Sequence, residues 1–354
     1  MDIVTAPSLD VATASDEFEE PRWQQAVRNA VRSPQELCEV LRLPDVFRRA
    51  AERAATDFRL FVPREYVEKI PAAQPDHPLL KQILPVAEEI TDEGDEASIG
   101  SSLSDYSRDP VGDSLALAAP GLLHKYASRV LLTLTGACAV HCRYCFRRFY
   151  PYDALPHGHA EWQPALEYIA KDTTIDEVIL SGGDPWMLVD ATLQRLAEQI
   201  SQIAHVQRLR IHTRLPIMIP ARVNDSLIRW LTGTRLVPFV VVHANHPLEI
   251  DAPVSAALTK LVSAGVVVLN QAVLLRGVND SAAALEALSR RLVDLRVLPY
   301  YLHQLDRVVG SQHFEVSDSK AQEILTELRR RLPGYAVPRL VRENAGGEYK
   351  EIVS

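Results

Sequence analysis

Three of the four cysteines of this 354-residue chain lie on one short segment, at Cys138, Cys142 and Cys145, and Cys38 stands alone. A secreted disulfide framework spreads its cysteines through a short chain, so this clustering indicates a metal or cluster site in a reducing compartment. Three thiolates can hold three irons of a four-iron cluster and leave the fourth iron open to an outside ligand. The spacing therefore predicts an iron–sulfur site with one open corner.

Two other interpretations of the cysteines stay open at this point. A zinc ion could use His141 as a fourth ligand, although residues adjacent in sequence chelate one tetrahedral ion awkwardly. The cysteines could also be ordinary buried thiols, but cysteines of that kind normally scatter along a chain. Cys38 fits this last description and is expected to be a buried thiol in a helix.

Short apolar runs and helical patterns alternate from residue 130 onward. The apolar runs cover 130–135, 177–183, 208–214, 239–245, 266–275 and 297–303. Segments with helical periodicity lie between them at 190–204, 253–265 and 281–295. Such alternation predicts parallel strands, right-handed crossovers and helices on the outer face of the sheet. The expected fold class is α/β, a partial (β/α)6 TIM-like barrel open on one side, and a doubly wound open sheet is the alternative.

Polar residues follow or interrupt every one of these apolar runs. In chain order they are Cys138–Cys145, Ser181–Asp184, His212 and Arg214, His243 and Asn245, Asn270 and Gln271, and His303 and Asp306. Both candidate architectures bind ligands at the carboxyl ends of their parallel strands. Polar groups at six strand ends on one rim therefore predict a single site there.

Composition and charge exclude several classes of protein. With 47% hydrophobic and 24% charged residues, the chain has the proportions of a soluble folded protein. The 46 Asp and Glu outnumber the 38 Lys and Arg, which argues against a nucleic-acid surface. No apolar run reaches the roughly 18 residues that cross a bilayer, and the acidic start lacks a signal-peptide pattern. The expected location is cytoplasmic, with neither a membrane nor a nucleic acid as partner.

Several segments carry a resemblance to a known family. The CxxxCxxC spacing after the first predicted strand, with Tyr144 before the last cysteine, resembles the radical S-adenosylmethionine superfamily. The resemblance narrows to the lysine 2,3-aminomutase family, and within it to the short branch that supplies β-lysine for modifying elongation factor P. The segments that carry it are CFRRFYPY at 145–152, VLLRGVND at 273–280, LPYYLHQLD at 298–306 and GYAVPRLVRENAGGEYK at 334–350. It extends from about Trp23 to Lys350.

The resemblance implies a [4Fe-4S] cluster on the three clustered cysteines, whose open iron binds S-adenosylmethionine. The reduced cluster would cleave the sulfonium and generate a 5′-deoxyadenosyl radical. The residues that the resemblance places around S-adenosylmethionine are Ser181, Gly182, Gly183, Asp184, His243 and Gln271. Glycine suits a close approach of backbone to the methionine amino group, because it has no Cβ to obstruct it.

The family combines this radical with pyridoxal 5′-phosphate. Lys350 occupies the position of the lysine that forms the internal aldimine, shortly after a Gly-Gly pair. Arg147 matches the residue that binds the substrate carboxylate, which a planar guanidinium can hold by two hydrogen bonds. Asp306 and Glu343 match the two acids around the far ammonium of lysine, the second of which is usually aspartate in the fermentative enzymes.

The function implied is that of an isomerase converting free L-α-lysine to β-lysine by 2,3-amino migration. Arg147 favours free lysine, because lysine linked to a protein through its carboxyl group has no carboxylate to bind. The implied partners are a reductant protein such as flavodoxin or ferredoxin, and elongation factor P with its lysyl-transferring enzyme. An aminomutase for another amino acid, such as arginine, and a non-catalytic iron–sulfur or zinc scaffold are the alternatives.

Four parts are expected along the chain. Residues 1–22 are polar and acidic and are predicted to form a disordered tail. Residues 23–125 are predicted to form an N-terminal helical region that contains a loop at about 92–113. The radical S-adenosylmethionine barrel is expected over 126–315. A C-terminal helix and the segment containing Lys350 are expected over 316–354.

Overall fold

The computed structural model describes residues 21–90, 105–156 and 158–353. Nearly all of the predicted N-terminal tail and much of the predicted loop at 92–113 lie outside these residues. The four-part division of the chain therefore stays a prediction. No helix within the described ranges is both long enough and apolar enough to cross a membrane.

The ten described strands form one sheet and follow one another across it in chain order. They are β1 (Leu117–Ala119), β2 (Leu122–Tyr126), β3 (Arg129–Thr133), β4 (Glu177–Ser181), β5 (Arg208–Thr213), β6 (Val237–His243), β7 (Val267–Val273), β8 (Leu298–His303), β9 (Arg339–Arg342) and β10 (Glu351–Ile352). Strands β3 to β9 run parallel. Strands β1 and β2 extend one edge in antiparallel pairing, and β10 extends the other.

Helices precede the sheet and then connect its parallel strands. The helices before the sheet are α1 (Arg22–Arg28), α2 (Pro34–Val40), α3 (Asp45–Ala54), α4 (Arg64–Val67) and α5 (Pro78–Lys81). The connecting helices are α6 (His159–Lys171), α7 (Asp190–Ser201), α8 (Leu215–Met218), α9 (Asp225–Thr232), α10 (Ala252–Ser263), α11 (Ala282–Asp294) and α12 (Asp318–Arg331). Every parallel connection from β3 to β9 thus contains at least one helix.

Side-chain caps begin four of these connecting helices. The side chain of Asn224 accepts a hydrogen bond from Leu227 N at the start of α9, and Asp251 accepts one from Val254 N at the start of α10. Ser281 and Ser317 cap α11 and α12 in the same way. Each cap satisfies a backbone N–H that has no partner within its helix. The caps therefore fix where each crossover leaves the loop and turns back along the sheet.

The predicted α/β class is confirmed. Strands β3 to β8 coincide with the six predicted apolar runs, and α7, α10 and α11 coincide with the predicted helical segments. The sequence analysis missed the seventh parallel strand, β9, and the antiparallel strands β1, β2 and β10. These four strands are short or carry charged residues, so their apolar signal is weak.

The sheet curves into a partial barrel. Strands β2 to β8 all contribute side chains to one cavity, which requires the sheet to bend around it. Within the described residues no ladder joins β1 to β10, so the barrel stays open at that side. The alternation within β5 shows the consequence for side chains: Leu209 and Ile211 belong to the core shared with the helices, and Arg210 and His212 line the cavity. The apolar half of each strand thus holds the fold, and the polar half builds the site.

Candidate active site

The barrel encloses one cavity of about 370 Å³ that reaches the carboxyl ends of its strands. All thirteen residues that the sequence analysis assigned to cofactors or substrate line this cavity. They come from loops and strands that are up to about two hundred positions apart, and the fold alone brings them together. The prediction of one site at the strand ends is therefore consistent with where the structure places these residues.

The cysteine-bearing loop follows β3 and is held by the region that precedes the sheet. Arg143 lies between the second and third cysteines and is fully buried. Its guanidinium forms a bidentate ion pair with Glu89, at 2.8 and 2.5 Å. Its backbone N–H donates to Gln82 O at 3.0 Å. Because both partners belong to the helical region, that region fixes the position of the loop.

The thiols of this loop have the chemistry of metal ligands. Cys138, Cys142 and Cys145 are free of disulfides and face the cavity. Burial raises the pKa of Cys138 well above its usual value and that of Cys145 to about 11. Cys138 and Cys145 therefore need a bound cation to ionise near neutral pH. Thiolates on the wall of a cavity fit an iron–sulfur cluster.

The same residues do not fit a single zinc ion. His141 turns away from the cavity, because its Nδ1 lies 2.9 Å from Arg59 O and its ring stacks on Phe58. Across the described ranges, no group of three or more His, Cys, Asp or Glu side chains gathers closely enough to bind one ion. A cluster keeps its ligands further apart than one ion does, so three thiols that line one cavity without gathering around a single point match a cluster.

The glycines after β4 are required by the cysteine loop itself. A Cβ on Gly182 would lie 2.6 Å from Thr135 O, and one on Gly183 would lie 2.4 Å from Ala137 O. The Gly183 N–H donates to Thr135 O at 2.7 Å, so the two backbones run side by side. The sequence analysis explained these glycines by a ligand's close approach. The structure adds another reason, which is the packing of two loops against each other.

Replacing Gly183 with alanine is expected to lower the free energy of unfolding by about 1–3 kcal/mol, because the new methyl group overlaps a backbone oxygen. The effect is measured by denaturant unfolding of the purified protein. Gly334→Ala is the matched control, since a Cβ there meets no atom within 4 Å. Equal stability of the two variants would contradict the packing argument.

Asp184 ties the ends of two strands together. Its carboxylate accepts hydrogen bonds from Trp186 N at 3.0 Å, Thr213 Oγ1 at 2.8 Å, Arg214 N at 2.7 Å and Leu215 N at 3.2 Å. Burial raises the pKa of Asp184 to about 6, although these hydrogen bonds oppose the shift. The Asp184 carboxylate is thus hydrogen-bonded by protein donors, and these bonds fix the part of the cavity wall that follows β4 and β5.

His243 and Gln271 sit side by side on neighbouring strands. They are register partners of β6 and β7, and both line the cavity. His243 Nε2 lies 3.2 Å from the Tyr144 hydroxyl, and the two rings stack. Burial lowers the pKa of His243 well below its usual value, and the charge of Arg214 lowers it further. The imidazole is therefore neutral and acts as a hydrogen-bonding group.

Alternating charges form a continuous chain along the cavity wall. Arg147 Nε donates to Asp113 Oδ2 at 2.7 Å, and Lys125 Nζ lies 2.7 Å from Asp113 Oδ1. Lys125 also donates to Glu343 Oε1 at 3.0 Å, and Lys350 pairs with Glu343 Oε2. The predicted residues Arg147, Glu343 and Lys350 therefore belong to one network of ion pairs.

The two predicted substrate acids differ in charge state. Burial raises the pKa of Asp306 to about 7, and the negative charge of Glu343 adds to the shift. Burial would also raise the pKa of Glu343, but Lys350 and Lys125 outweigh it and hold that pKa at about 2. No hydrogen bond from a described side chain reaches the Asp306 carboxylate. Glu343 is thus ionised and paired, and the Asp306 carboxylate can accept hydrogen bonds from a bound cation.

Sequence reasoning missed Asp113 and Lys125, which link the substrate residues. Lys125 lies two positions after Leu123 on β2, and both line the cavity. Alternation would have identified Lys125 if residues 122–126 had been predicted as a strand. Asp113 follows a glycine with positive φ, and the sequence around it contains no signal that it meets Arg147.

No protein-family model matches the chain. The chain is 43% identical over 335 residues to the L-lysine 2,3-aminomutase of Haemophilus influenzae, which covers 94% of this chain and 96% of that protein. It is 43% identical to that of Escherichia coli, covering 92% of each chain, and 33% identical to that of Clostridium subterminale, covering 92% of this chain and 76% of that protein. Among solved structures, a radical SAM methyltransferase from Sphaerobacter thermophilus has a TM-score of 0.45 at 19% identity, over 62% of this chain and 68% of that chain. On the sequence identities, the chain belongs to the L-lysine 2,3-aminomutase family.

Proposed function

We propose that this protein is an isomerase that converts free L-lysine to β-lysine by moving the amino group from C2 to C3. The observation that carries the proposal is one cavity lined by the three clustered cysteines, Lys350, and the acids Asp306 and Glu343. Its cofactors are a [4Fe-4S] cluster, S-adenosylmethionine and pyridoxal 5′-phosphate. When bound, they would supply a radical that abstracts hydrogen from carbon and a conjugated ring system that stabilises the radical while the amino nitrogen moves between adjacent carbons of lysine.

The cluster and S-adenosylmethionine are assigned to adjacent parts of the cavity. Cys138, Cys142 and Cys145 are the cluster ligands. The backbone of residues 182–183 runs beside the loop that carries these cysteines, so a ligand on the open iron would lie next to Ser181–Asp184. His243 and Gln271 complete the assigned wall and offer neutral hydrogen-bonding groups to it.

Pyridoxal phosphate is assigned to Lys350 and to cations near it. Lys350 and Lys125 are the lysines that line the cavity in the described part of the chain, and Lys350 alone matches the family's attachment position. A phosphate requires cationic donors, which Lys125, Arg129 and Arg210 supply from β2, β3 and β5. Arg129 lies over the ring of Tyr126, at 4.3 Å from its centroid, and this contact orients the guanidinium.

The carboxylate of lysine is assigned to Arg147. Asp113 binds its Nε and Ser181 Oγ lies 3.2 Å from its Nη1, so the guanidinium plane is fixed before substrate arrives. A buried cation facing the cavity attracts a free α-carboxylate. This assignment supports free lysine as the substrate, because an amide-linked lysine would leave the arginine without an anionic partner.

The far ammonium of lysine is assigned to Asp306, with Glu343 beside it. Glu343 is already bonded by Lys125 and Lys350, whereas Asp306 has unused acceptor capacity among the described groups. A substrate ammonium would lower the pKa of Asp306 and ionise it. The neighbouring His303 has a pKa of about 3, because burial and then Lys350 disfavour its charged form, so it adds no repelling charge.

The affinity for lysine is expected to rise with pH as Asp306 ionises. The pKa of Asp306 is raised to about 7, so its carboxylate gains its charge as the pH passes through that value. The substrate ammonium stays protonated there, and between about pH 6 and pH 8 the KM should fall by roughly tenfold. Asp306→Asn should raise KM and flatten this dependence. Glu343, Lys350, Lys125 and Asp113 also face Asp306 and act on its charge. A pH dependence of KM that persists in Asp306→Asn would refute its assignment to Asp306.

The proposed activity is tested with free L-lysine. Reduced, cofactor-loaded enzyme is incubated anaerobically with L-lysine and S-adenosylmethionine, and the amino acids are separated by chiral chromatography. We expect β-lysine to accumulate and L-arginine to remain unchanged. Isomerisation of arginine with lysine untouched would overturn the substrate assignment, and failure to consume S-adenosylmethionine would favour a non-catalytic scaffold.

We further propose that the β-lysine serves the modification of elongation factor P in the cytoplasm. Free lysine as substrate requires a separate enzyme to attach the product, and the cluster requires a reductant protein such as flavodoxin or ferredoxin. Clustered free thiols suit a reducing compartment. In cells that lack this chain, elongation factor P should lose its β-lysyl mass by mass spectrometry, and added β-lysine should restore it. Unaltered modification would refute this link.

A further inference from the structure

Arg214 makes a direct contact with one of the cluster cysteines. It follows β5, and its side chain is only 6% exposed. Its Nη1 lies 2.7 Å from Cys142 Sγ and donates a hydrogen bond to it. The sequence analysis singled out Arg214 as a strand-end residue and gave it no role. An always-charged donor on a ligand sulfur is a group that can change the properties of a cluster.

A buried polar network holds this arginine in place. Its Nη2 donates to Gln82 Oε1 at 2.7 Å and to Glu249 Oε2 at 2.9 Å. Glu249 is fully buried, and its other oxygen accepts hydrogen bonds from Asn245 N and His246 N. The guanidinium therefore cannot swing away from the sulfur without leaving a buried carboxylate unpaired.

We infer that Arg214 is a positioning residue that raises the reduction potential of the cluster through its hydrogen bond to Cys142. This inference rests on the proposed cluster. A hydrogen bond to a ligand sulfur withdraws electron density and stabilises the reduced cluster, which carries one more electron. The counter-charge of Glu249 offsets part of the arginine's field, so the two side chains together set the effect.

Arg214→Lys tests the hydrogen bond while keeping the charge. Lysine keeps a cation near Glu249, but it lacks the planar fork that reaches Cys142, Gln82 and Glu249 at once. The midpoint potential is measured by EPR-monitored titration of the reconstituted protein without S-adenosylmethionine or lysine. We expect the midpoint to shift to lower potential with an unchanged iron content, and the variant to need a stronger reductant for turnover.

Arg222→Lys is the matched control. Arg222 is also fully buried and bonded, to Trp186 O at 2.8 Å and to Asp190 at 2.8 Å, but it contacts no cysteine. The same chemical change there should leave the midpoint potential where it is. An equal shift in both variants, or no shift in Arg214→Lys with its iron intact, would overturn the inference.

Glu249→Gln provides a second test of opposite sign. It removes the counter-charge of Arg214 and leaves the arginine near Cys142, so the midpoint should move to higher potential. A lower or unchanged midpoint potential in this variant would contradict the inference. Glu249→Gln therefore still tests the inference if Arg214→Lys fails to fold. Iron content distinguishes failure of the proposed function from failure of this inference. A parent protein that binds no cluster overturns the proposed function, whereas iron-loaded variants with an unshifted midpoint potential overturn only the role of Arg214.

Discussion

Cys145→Ala is expected to abolish both cluster binding and turnover. With one thiolate gone, the loop retains two of its three ligands, and an iron–sulfur cluster loses its anchorage. Because radical formation has no other source in the cavity, the loss of activity should be at least ~10⁶-fold, the lower end of typical enzymatic rate enhancements. The measurements are iron content, visible absorption after anaerobic reconstitution, and β-lysine formation.

Cys38→Ala is the matched control for the same chemical change. Cys38 is 3% exposed, lies in α2 and belongs to the core, away from the cavity lining. Its removal should leave iron content and turnover unchanged and cost only about 1 kcal/mol of stability. Full cluster loading in Cys145→Ala would refute the ligand set. Loss of iron in Cys38→Ala would show that iron loading depends on stability and not on the cysteine loop.

The parts of this molecule that follow local sequence rules were predictable. The long apolar strands β3 to β8 and the helices between them carry their periodicity within single segments. The cysteine spacing is also local, since the three ligands sit on one loop. The order of parallel strands then places their polar ends on one rim, so the gathering of distant residues such as Ser181 and Asp306 required only the fold class.

The parts that depend on tertiary contacts were not predictable. Strand β9 is four residues long with arginine at both ends, and it is a strand because it pairs with β8 and β10. Asp113 meets Arg147 across 34 positions of sequence, and Arg143 meets Glu89 across 54. An isolated charged residue in a sequence is normally predicted to be exposed to solvent. Sequence alone does not reveal whether it is buried in the fold and therefore forms an ion pair.

The region before the sheet thereby gains a function that its composition did not suggest. Arg143 is held by Glu89 and by Phe58 O at 2.8 Å, and Gln82 is shared by the Arg143 backbone and the Arg214 side chain. Helical packing before the barrel therefore pins the cysteine loop at the points between its ligands. We interpret this region as the support that holds the three thiols in place at the carboxyl ends of the barrel strands.

Lys350→Ala is expected to abolish covalent attachment of pyridoxal phosphate and with it the isomerase activity. Two lysines, Lys125 and Lys350, line the cavity in the described part of the chain, and both contact Glu343. Both lysines have an amine that can attach the cofactor, so variants of both are needed to locate the attachment site. After reconstitution and borohydride reduction, peptide mass spectrometry should find the phosphopyridoxyl mass on Lys350 in the parent and on no residue of Lys350→Ala.

Lys125→Met is the companion variant that makes this test decisive. If Lys125 contributes only a charge to phosphate and to Glu343, its variant should keep the covalent label on Lys350 while binding the cofactor more weakly. Loss of Lys125 also frees Glu343 Oε1 and removes one of the two cations that hold the pKa of Glu343 low. A label on Lys125 in the parent, or one that persists in Lys350→Ala, would transfer the attachment site to β2. In that case Lys350 would be only a counter-ion of Glu343, and the segment that contains Lys350 would not bind the cofactor covalently.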